Sequence, residues 1–477
     1  MLSRRDFLIG CGGAIGLQIP SLRASLSASG YTVDRKFQSP LRIPSVLRPI
    51  RSDETTDDYE IEQRQASVEV LPGKQTTIWG YEGMFPGPTI KARQGRRAAI
   101  RHTNKLAVPT VVHLHGGATP SDSDGFPTDL VLPGHQKTYF YPNDRAATLW
   151  YHDHAMDQTG RNIFMGLAGM YLVESKEETN PPLPRDEYDV PLILQDRLFS
   201  QDGALLYRPD PVDGPAADVT MVNGTPWPKF DVSTCKYRFR ILNASNARLF
   251  RLALSSRQPL IQIATDGGLL PVPRKVQDIP LAMAERVEVI VDFSLHPLNT
   301  VITLDDINAP AAKRSLLQFN VVSRVNDDGK LPERLTQFQA IVSDRAVQRR
   351  TFMFTRGNSH HSEVQWSING EQFDPARPIA EVRANDIEIW RLANHTFREK
   401  HNVIHPVHLH LANFQILRRN GRPPAPYESG LKDTIALNVG DDVEIVARFP
   451  GLTGRYVMHC HNLEHEDRGM MARFDVH

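Results

Sequence analysis

Cysteine is scarce in this chain: 477 residues carry three, Cys11, Cys235 and Cys460. At most one bridge is possible, which excludes a disulfide-stapled scaffold. Charge of one sign is missing too. Lys+Arg and Asp+Glu both number 55, so no net field favours nucleic acid or an anionic membrane as partner. Long apolar runs are lacking as well. The stretch from Phe7 to about Ile19 is too short to span a bilayer comfortably. What is present is an ordinary globular composition, 40% hydrophobic and 23% charged, with 35 prolines and many short, β-branched apolar segments. That pattern favours β-sandwiches joined by turns over helical bundles, and the length calls for two or three of them.

The first residues are set apart. Ser3-Arg4-Arg5-Asp6-Phe7-Leu8 resembles a twin-arginine export signal, and small residues from Ala24 to Ser29 offer cleavage sites. Leu8-Ile9-Gly10-Cys11 also reads as a lipoprotein box, but the apolar run before Cys11 is too short for one. Residues 1–28 are therefore assigned to an export signal, and a soluble periplasmic or extracellular protein without a membrane span is expected. Three all-β, Greek-key sandwich domains follow, at 40–180, 186–340 and 346–477. The Pro-rich, charged stretch Glu174–Pro184 links the first two, and the boundary before the third lies within 323–350. Met165 and Met170 are expected in the core of a strand from Gly166 to Val173. Cys235 is read as a small buried hydrophobe.

Histidine is the informative residue. Ten of the 18 fall in four clusters: His113-Leu-His115, His152-Asp-His154, His405-Pro-Val-His408-Leu-His410, and His459-Cys460-His461 with His465 close behind. The middle of the chain holds none of them. In a strand, residues two apart share a face, so each His-x-His pair offers two imidazoles to one side. Four pairs give eight: His113, His115, His152, His154, His408, His410, His459 and His461. Imidazole alone does not choose among copper, zinc, iron and nickel. Cys460 does. It points away from His459 and His461 and must serve a second site, where His405, His465 and Met470 are at hand. Two His, one thiolate and a weak axial Met form the blue-copper set. A zinc hydrolase has no use for eight paired histidines and a thioether.

These four segments resemble the copper signatures of the multicopper oxidase family. Phe85-Pro-Gly-Pro-Thr-Ile90, Asn223-Gly224, Tyr237-Arg-Phe-Arg-Ile-Leu-Asn-Ala-Ser-Asn246 and Trp366-Ser-Ile-Asn-Gly370 are also similar to family segments. The nearest resemblance is to bacterial laccases of the spore-coat type, bilirubin oxidases and phenoxazinone synthases. It implies three cupredoxin domains and four copper ions. His405, Cys460, His465 and Met470 would hold the type 1 ion, and His113 and His408 the type 2 ion. The type 3 pair would take His115, His152 and His461 on one ion and His154, His410 and His459 on the other, between domains 1 and 3. Asp124 and Glu466 stand where the family places proton donors, and reducing dioxygen to water consumes four protons.

The expected activity is a laccase-like coupling of four one-electron oxidations of phenols or aromatic amines to water formation. The partners are then a small-molecule electron donor and dioxygen, and a monomer is expected. A cuprous or other metal-ion oxidase shares every ligand. The absence of a Met-rich segment weakens that alternative. A non-enzymatic exported scaffold on the same fold is the third reading, set against a full complement of ligands.

Overall fold

The computed structural model describes residues 36–175, 183–327, 329–358, 364–396 and 403–477. The export-signal reading and Cys11 lie outside the described residues, as does most of the expected linker. Among the described residues six sheets succeed one another, two in each third. In the first third a sheet containing Val112–His115, Ala147–Asp153 and Ala168–Glu174 faces one built on Thr56–Glu69 and Arg97–Asn104. Between them lies a core of Tyr59, Ile61, Ile100, Leu114, Tyr151 and Tyr171. A seven-stranded and a five-stranded sheet enclose the middle core, where Cys235 is buried among Phe239, Phe293 and Phe319. The last third packs two five-stranded sheets around Trp366, Trp390, Phe414, Tyr456 and Phe474. Alternating apolar residues along strands such as Thr56–Glu69 face these cores, whereas strands such as Ala147–Asp153 are buried along their whole length. Among the described residues no helix is long and apolar enough to cross a membrane.

One expectation needs correction. Met165 is not on the strand that carries Met170. It ends a short helix, Thr159–Met165, and the strand begins at Ala168. Met170 is fully buried as expected. The helix escapes sequence reading because its cap comes from the far end of the chain. The Asp467 carboxylate accepts from the Thr159 and Gly160 N–H groups, both at 2.9 Å.

A buried ion-pair network in the middle third is bonded to the first third. Arg240, on a middle strand, forks onto Asp189 at 2.8 Å through both Nε and Nη2, and reaches Glu288 and the Thr148 hydroxyl at 3.2 Å. Removing one member of such a pair costs about 3–5 kcal/mol, because the other charge is left buried and unpaired.

Candidate metal centre

Strand register brings the histidines together in pairs. His113 lies opposite His152 where Val112–His115 runs antiparallel to Ala147–Asp153. His408 lies opposite His459, and Val407 opposite Cys460, where His405–Leu409 meets Gly454–Cys460. The pleat then sorts them. Val112 and Leu114 enter the first core, so His113 and His115 point out of that sandwich. In the last sandwich Val407, Leu409, Met458 and Cys460 point inward, and His408, His410 and His459 point outward.

The two outward faces meet. His113 Nε2 lies 3.3 Å from His408 Nε2, and His459 Nε2 lies 3.2 Å from both His154 Nε2 and His410 Nε2. His115 stacks on His408 with ring centroids 3.5 Å apart, and the His461 ring is 5.1 Å from His115 and 5.2 Å from His152. All eight imidazoles are buried. On the inward face Cys460 Sγ sits 3.4 Å from His405 Nδ1 and 3.5 Å from His465 Nδ1, and those two nitrogens are 3.2 Å apart. Met470 is buried in the same core, where its carbonyl accepts from the Cys460 N–H at 3.0 Å.

Burial keeps these rings neutral. It pushes His152 and His465 down to about 3 and His154 to about 4, and drives His113, His115, His405, His408, His410 and His461 well below the usual range. Neutral imidazole is the ligating form. Burial also raises the Cys460 thiol, which a bound metal ion deprotonates.

The donor set fits copper. Two nitrogens bound tetrahedrally to one ion at about 2.0–2.1 Å stand about 3.3–3.4 Å apart, close to the 3.2 and 3.3 Å between Nε2 atoms here. Buried nitrogens without hydrogen-bond partners among the described residues include His115 Nδ1, His152 Nε2 and both ring nitrogens of His461. Such atoms cost free energy unless something binds them. The outer nitrogens are held. His113 Nδ1, His408 Nδ1 and His152 Nδ1 donate to the carbonyls of Asp124, Asp433 and Asp153 at 2.6, 2.9 and 2.9 Å. This fixes the tautomer with Nε2 as the free ligand atom.

Asp124 and Glu466 both lie against the cluster. Asp124 Oδ2 is 2.7 Å from His410 Nδ1, and Oδ1 accepts from the Thr119 hydroxyl at 3.1 Å. Burial pushes its carboxyl up to about 8. Glu466 spans His459 Nδ1 at 3.0 Å and His154 Nδ1 at 3.5 Å. Burial raises Glu466, but His459 and His154 outweigh that and bring it down to about 2.

Sequence reading missed the second layer of contacts. Asp433 and Thr434 approach His115 Nε2 at 3.2 and 3.0 Å, and Thr396 Oγ1 is 2.9 Å from His405 Nε2. Val212 O, from the middle third, accepts from His465 Nε2 at 3.2 Å, and Trp366 covers the His465 ring at a centroid distance of 3.9 Å. Of these only Trp366 lay in a segment that stood out in the sequence.

Comparison with known proteins agrees with this geometry. Multicopper oxidase family models match residues 62–178 and 346–477. A laccase of Bacillus subtilis is 34% identical over 92% of this chain and 98% of its own length. A bilirubin oxidase of Albifimbria verrucaria is 34% identical over 92% of this chain and 81% of its own. The crystal structure of a laccase from Pediococcus acidilactici superposes with a TM-score of 0.86 at 32% identity, covering 93% of this chain and 95% of that one. Fold, site chemistry and similarity along nearly the whole chain thus place this protein in the multicopper oxidase family, as a laccase-like copper oxidase that takes electrons from small-molecule donors and uses oxygen.

Proposed function

We propose that the chain holds four copper ions in two centres. His405, Cys460, His465 and Met470 form the electron-accepting centre. His113 and His408 hold one ion of the oxygen-reducing centre, with His115, His152 and His461 on a second and His154, His410 and His459 on a third. The carrying observation is the two-faced strand. Cys460 lies within 3.5 Å of His405 and His465 on one side, while His459 on the other lies within 3.2 Å of His154 and His410. Bound copper would supply one-electron redox chemistry at the first centre and dioxygen binding and reduction at the second.

The protein residues do the rest. Cys460 shares peptide bonds with His459 and His461, so the path between centres is covalent. Buried aromatic and aliphatic side chains around Cys460 exclude water from it. Asp124, hydrogen-bonded to His410, and Glu466, spanning His459 and His154, are placed to hold and pass protons at Oδ2 and at the two Glu466 oxygens. The laccase and bilirubin oxidase relatives support phenols, aromatic amines or pigments as donors. Export by the twin-arginine route, supported by the Arg4-Arg5 motif, and a monomeric state complete this reading.

The test is metal content and colour. Copper-loaded wild-type protein is expected to carry about four copper ions per chain, as the ligand sets require, to be blue, and to consume oxygen with a phenolic donor. Cys460→Ser should lose the colour and one copper while keeping the other three. A colourless wild type with no bound copper after loading overturns the proposal.

A further inference from the structure

The middle third supplies no ligand, yet its Arg286 side chain reaches the residues behind the oxygen-reducing centre. Arg286 is completely buried, and each of its five N–H donors has an acceptor. Nε donates to Thr148 O at 3.0 Å, in the strand that carries His152. Nη1 donates to Ala284 O at 3.0 Å and to Asp433 Oδ1 at 2.7 Å. Nη2 donates to Asp266 O at 3.2 Å and to Asp433 Oδ2 at 2.5 Å. One guanidinium thus joins all three thirds and grips both oxygens of a single carboxylate. Burial works against the charged form, but Asp433 and Asp266 outweigh it and raise the Arg286 pKa.

That carboxylate is the one behind His115. Asp433 Oδ1 is 3.2 Å from His115 Nε2, and the Thr434 hydroxyl, 3.0 Å from the same nitrogen, donates to Asp433 Oδ1 at 2.9 Å. The Asp433 carbonyl fixes His408 Nδ1 at 2.9 Å. Asp433 Oδ1 accepts from Arg286 and from the Thr434 hydroxyl and so faces His115 as an acceptor; the proton of His115 therefore belongs on Nε2 and its lone pair on Nδ1. His115 Nδ1 is the buried nitrogen left without a partner. His115 is therefore inverted relative to His113, His152 and His408, whose outer nitrogen is Nδ1. The fit is close on the backbone side as well. A Cβ added at Gly116, which has φ +88°, would lie 2.5 Å from Arg286 Nη2 and 2.6 Å from Asp433 Oδ2.

We propose that Arg286 is a positioning residue for oxygen reduction: by holding Asp433 in a bidentate grip, it sets the Nε2–H tautomer and the orientation of His115, so that Nδ1 faces the cluster. The inference rests on the copper assignment above. It gives the ligand-free middle domain a specific part in the reaction. Only arginine meets the demand, since lysine offers three donors from one point and cannot reproduce the planar fork.

The test compares Arg286→Lys and Asp433→Asn with Arg240→Lys in the copper-loaded, full-length protein. Arg240 is also buried and also joins the middle third to Thr148, but it grips Asp189 and Glu288 rather than the Asp433 that contacts His115. Copper per chain, the electron paramagnetic resonance of the cupric ions, the blue absorption and thermal unfolding are read alongside oxygen consumption. Arg286→Lys and Asp433→Asn are expected to lose copper affinity or oxygen-reduction rate by about 10–100-fold, the usual effect of removing a partner behind a metal-ligating histidine. Their non-blue cupric signal should change while the blue absorption stays. Arg240→Lys should lower the unfolding temperature with both signals unchanged. If Arg286→Lys and Arg240→Lys both lower the unfolding temperature and both leave the cupric spectrum as in wild type, Arg286 is only structural and the inference is overturned. If wild type itself binds no copper at the imidazole cluster, the copper assignment has failed instead.

Discussion

Replacing Trp366 with Phe tests how the proposed electron-accepting centre is covered. His465 is completely buried. Its cover is the segment 207–216. Val212 O accepts from His465 Nε2, and Pro211 O accepts from Trp366 Nε1 at 2.7 Å. The segment is braced internally by Asp210, whose Oδ1 accepts from the Val212 and Asp213 N–H groups at 2.8 and 2.9 Å. Tyr207 anchors one end by donating to Glu464 at 2.9 Å. Trp366→Phe keeps an aromatic ring over His465 and deletes the indole N–H.

One such hydrogen bond is worth about 1 kcal/mol net. Pro211 is partly exposed, so water replaces the lost donor, and the volume lost from the fully buried indole makes about 1 kcal/mol a lower bound. At about 1.4 kcal/mol per factor of ten, opening of the segment should rise at least about fivefold. Hydrogen exchange read by mass spectrometry reports this directly. The Gly214 and Ala216 amides, which donate to Asp210 O and Arg208 O at 3.1 and 3.3 Å, should exchange at least about fivefold faster. Amides of His405–Leu409 should be unchanged. The specificity constant for a bulky phenol relative to a small one should rise by the same factor or less. Unchanged exchange across 207–216 refutes the reasoning, as does faster exchange only in step with the whole domain.

Further predictions concern protons and pH. Asp124→Asn preserves shape and leaves an acceptor for His410 Nδ1. Oxygen turnover should therefore fall by roughly 10²-fold or more, the scale of general-acid loss, with copper content intact. Anaerobic bleaching of the blue colour by a donor should keep its wild-type rate, and slower bleaching would mean that Asp124 acts on the other centre. Asp189 and Glu288 are both held below their ordinary pKa. Burial alone would raise them, but Arg240 on Asp189, and Arg238 and Arg240 on Glu288, outweigh it. Because their folded pKa values are depressed, their stabilisation is complete above the unfolded values of about 3.9 and 4.3. It is lost as pH falls through the lower folded values. Denaturant titration should show Asp189→Asn destabilised by about 3–5 kcal/mol at pH 7, with the gap to wild type closing below about pH 4. A constant gap down to pH 2 would contradict the linkage.

Much of the chemistry was legible in the sequence because it depends on local geometry. The pleat puts i and i+2 on one face, so His113 and His115, or His408 and His410, had to project together, and Cys460 had to turn from its neighbours. Apolar alternation likewise marked the sandwich strands. Met165 was misplaced for the opposite reason. Its helix is capped by Asp467, some 300 positions away, and no local pattern encodes that contact. Cys235 could be read as buried because a lone small apolar side chain needs no partner to be satisfied.

The sequence by itself determined the ligand types, their pairing along strands and the split between a thiolate face and an imidazole face. These follow from covalent spacing and strand period. Only the tertiary structure decided how rings are oriented and covered. Asp433 and Arg286 behind His115, Val212 over His465, and the placement of Asp124 on His410 and of Glu466 on His459 and His154 depend on side chains brought together from different thirds of the chain. Hydrogen bonds of that kind have direction and length but no fixed sequence separation, so they become readable only when the sandwiches pack.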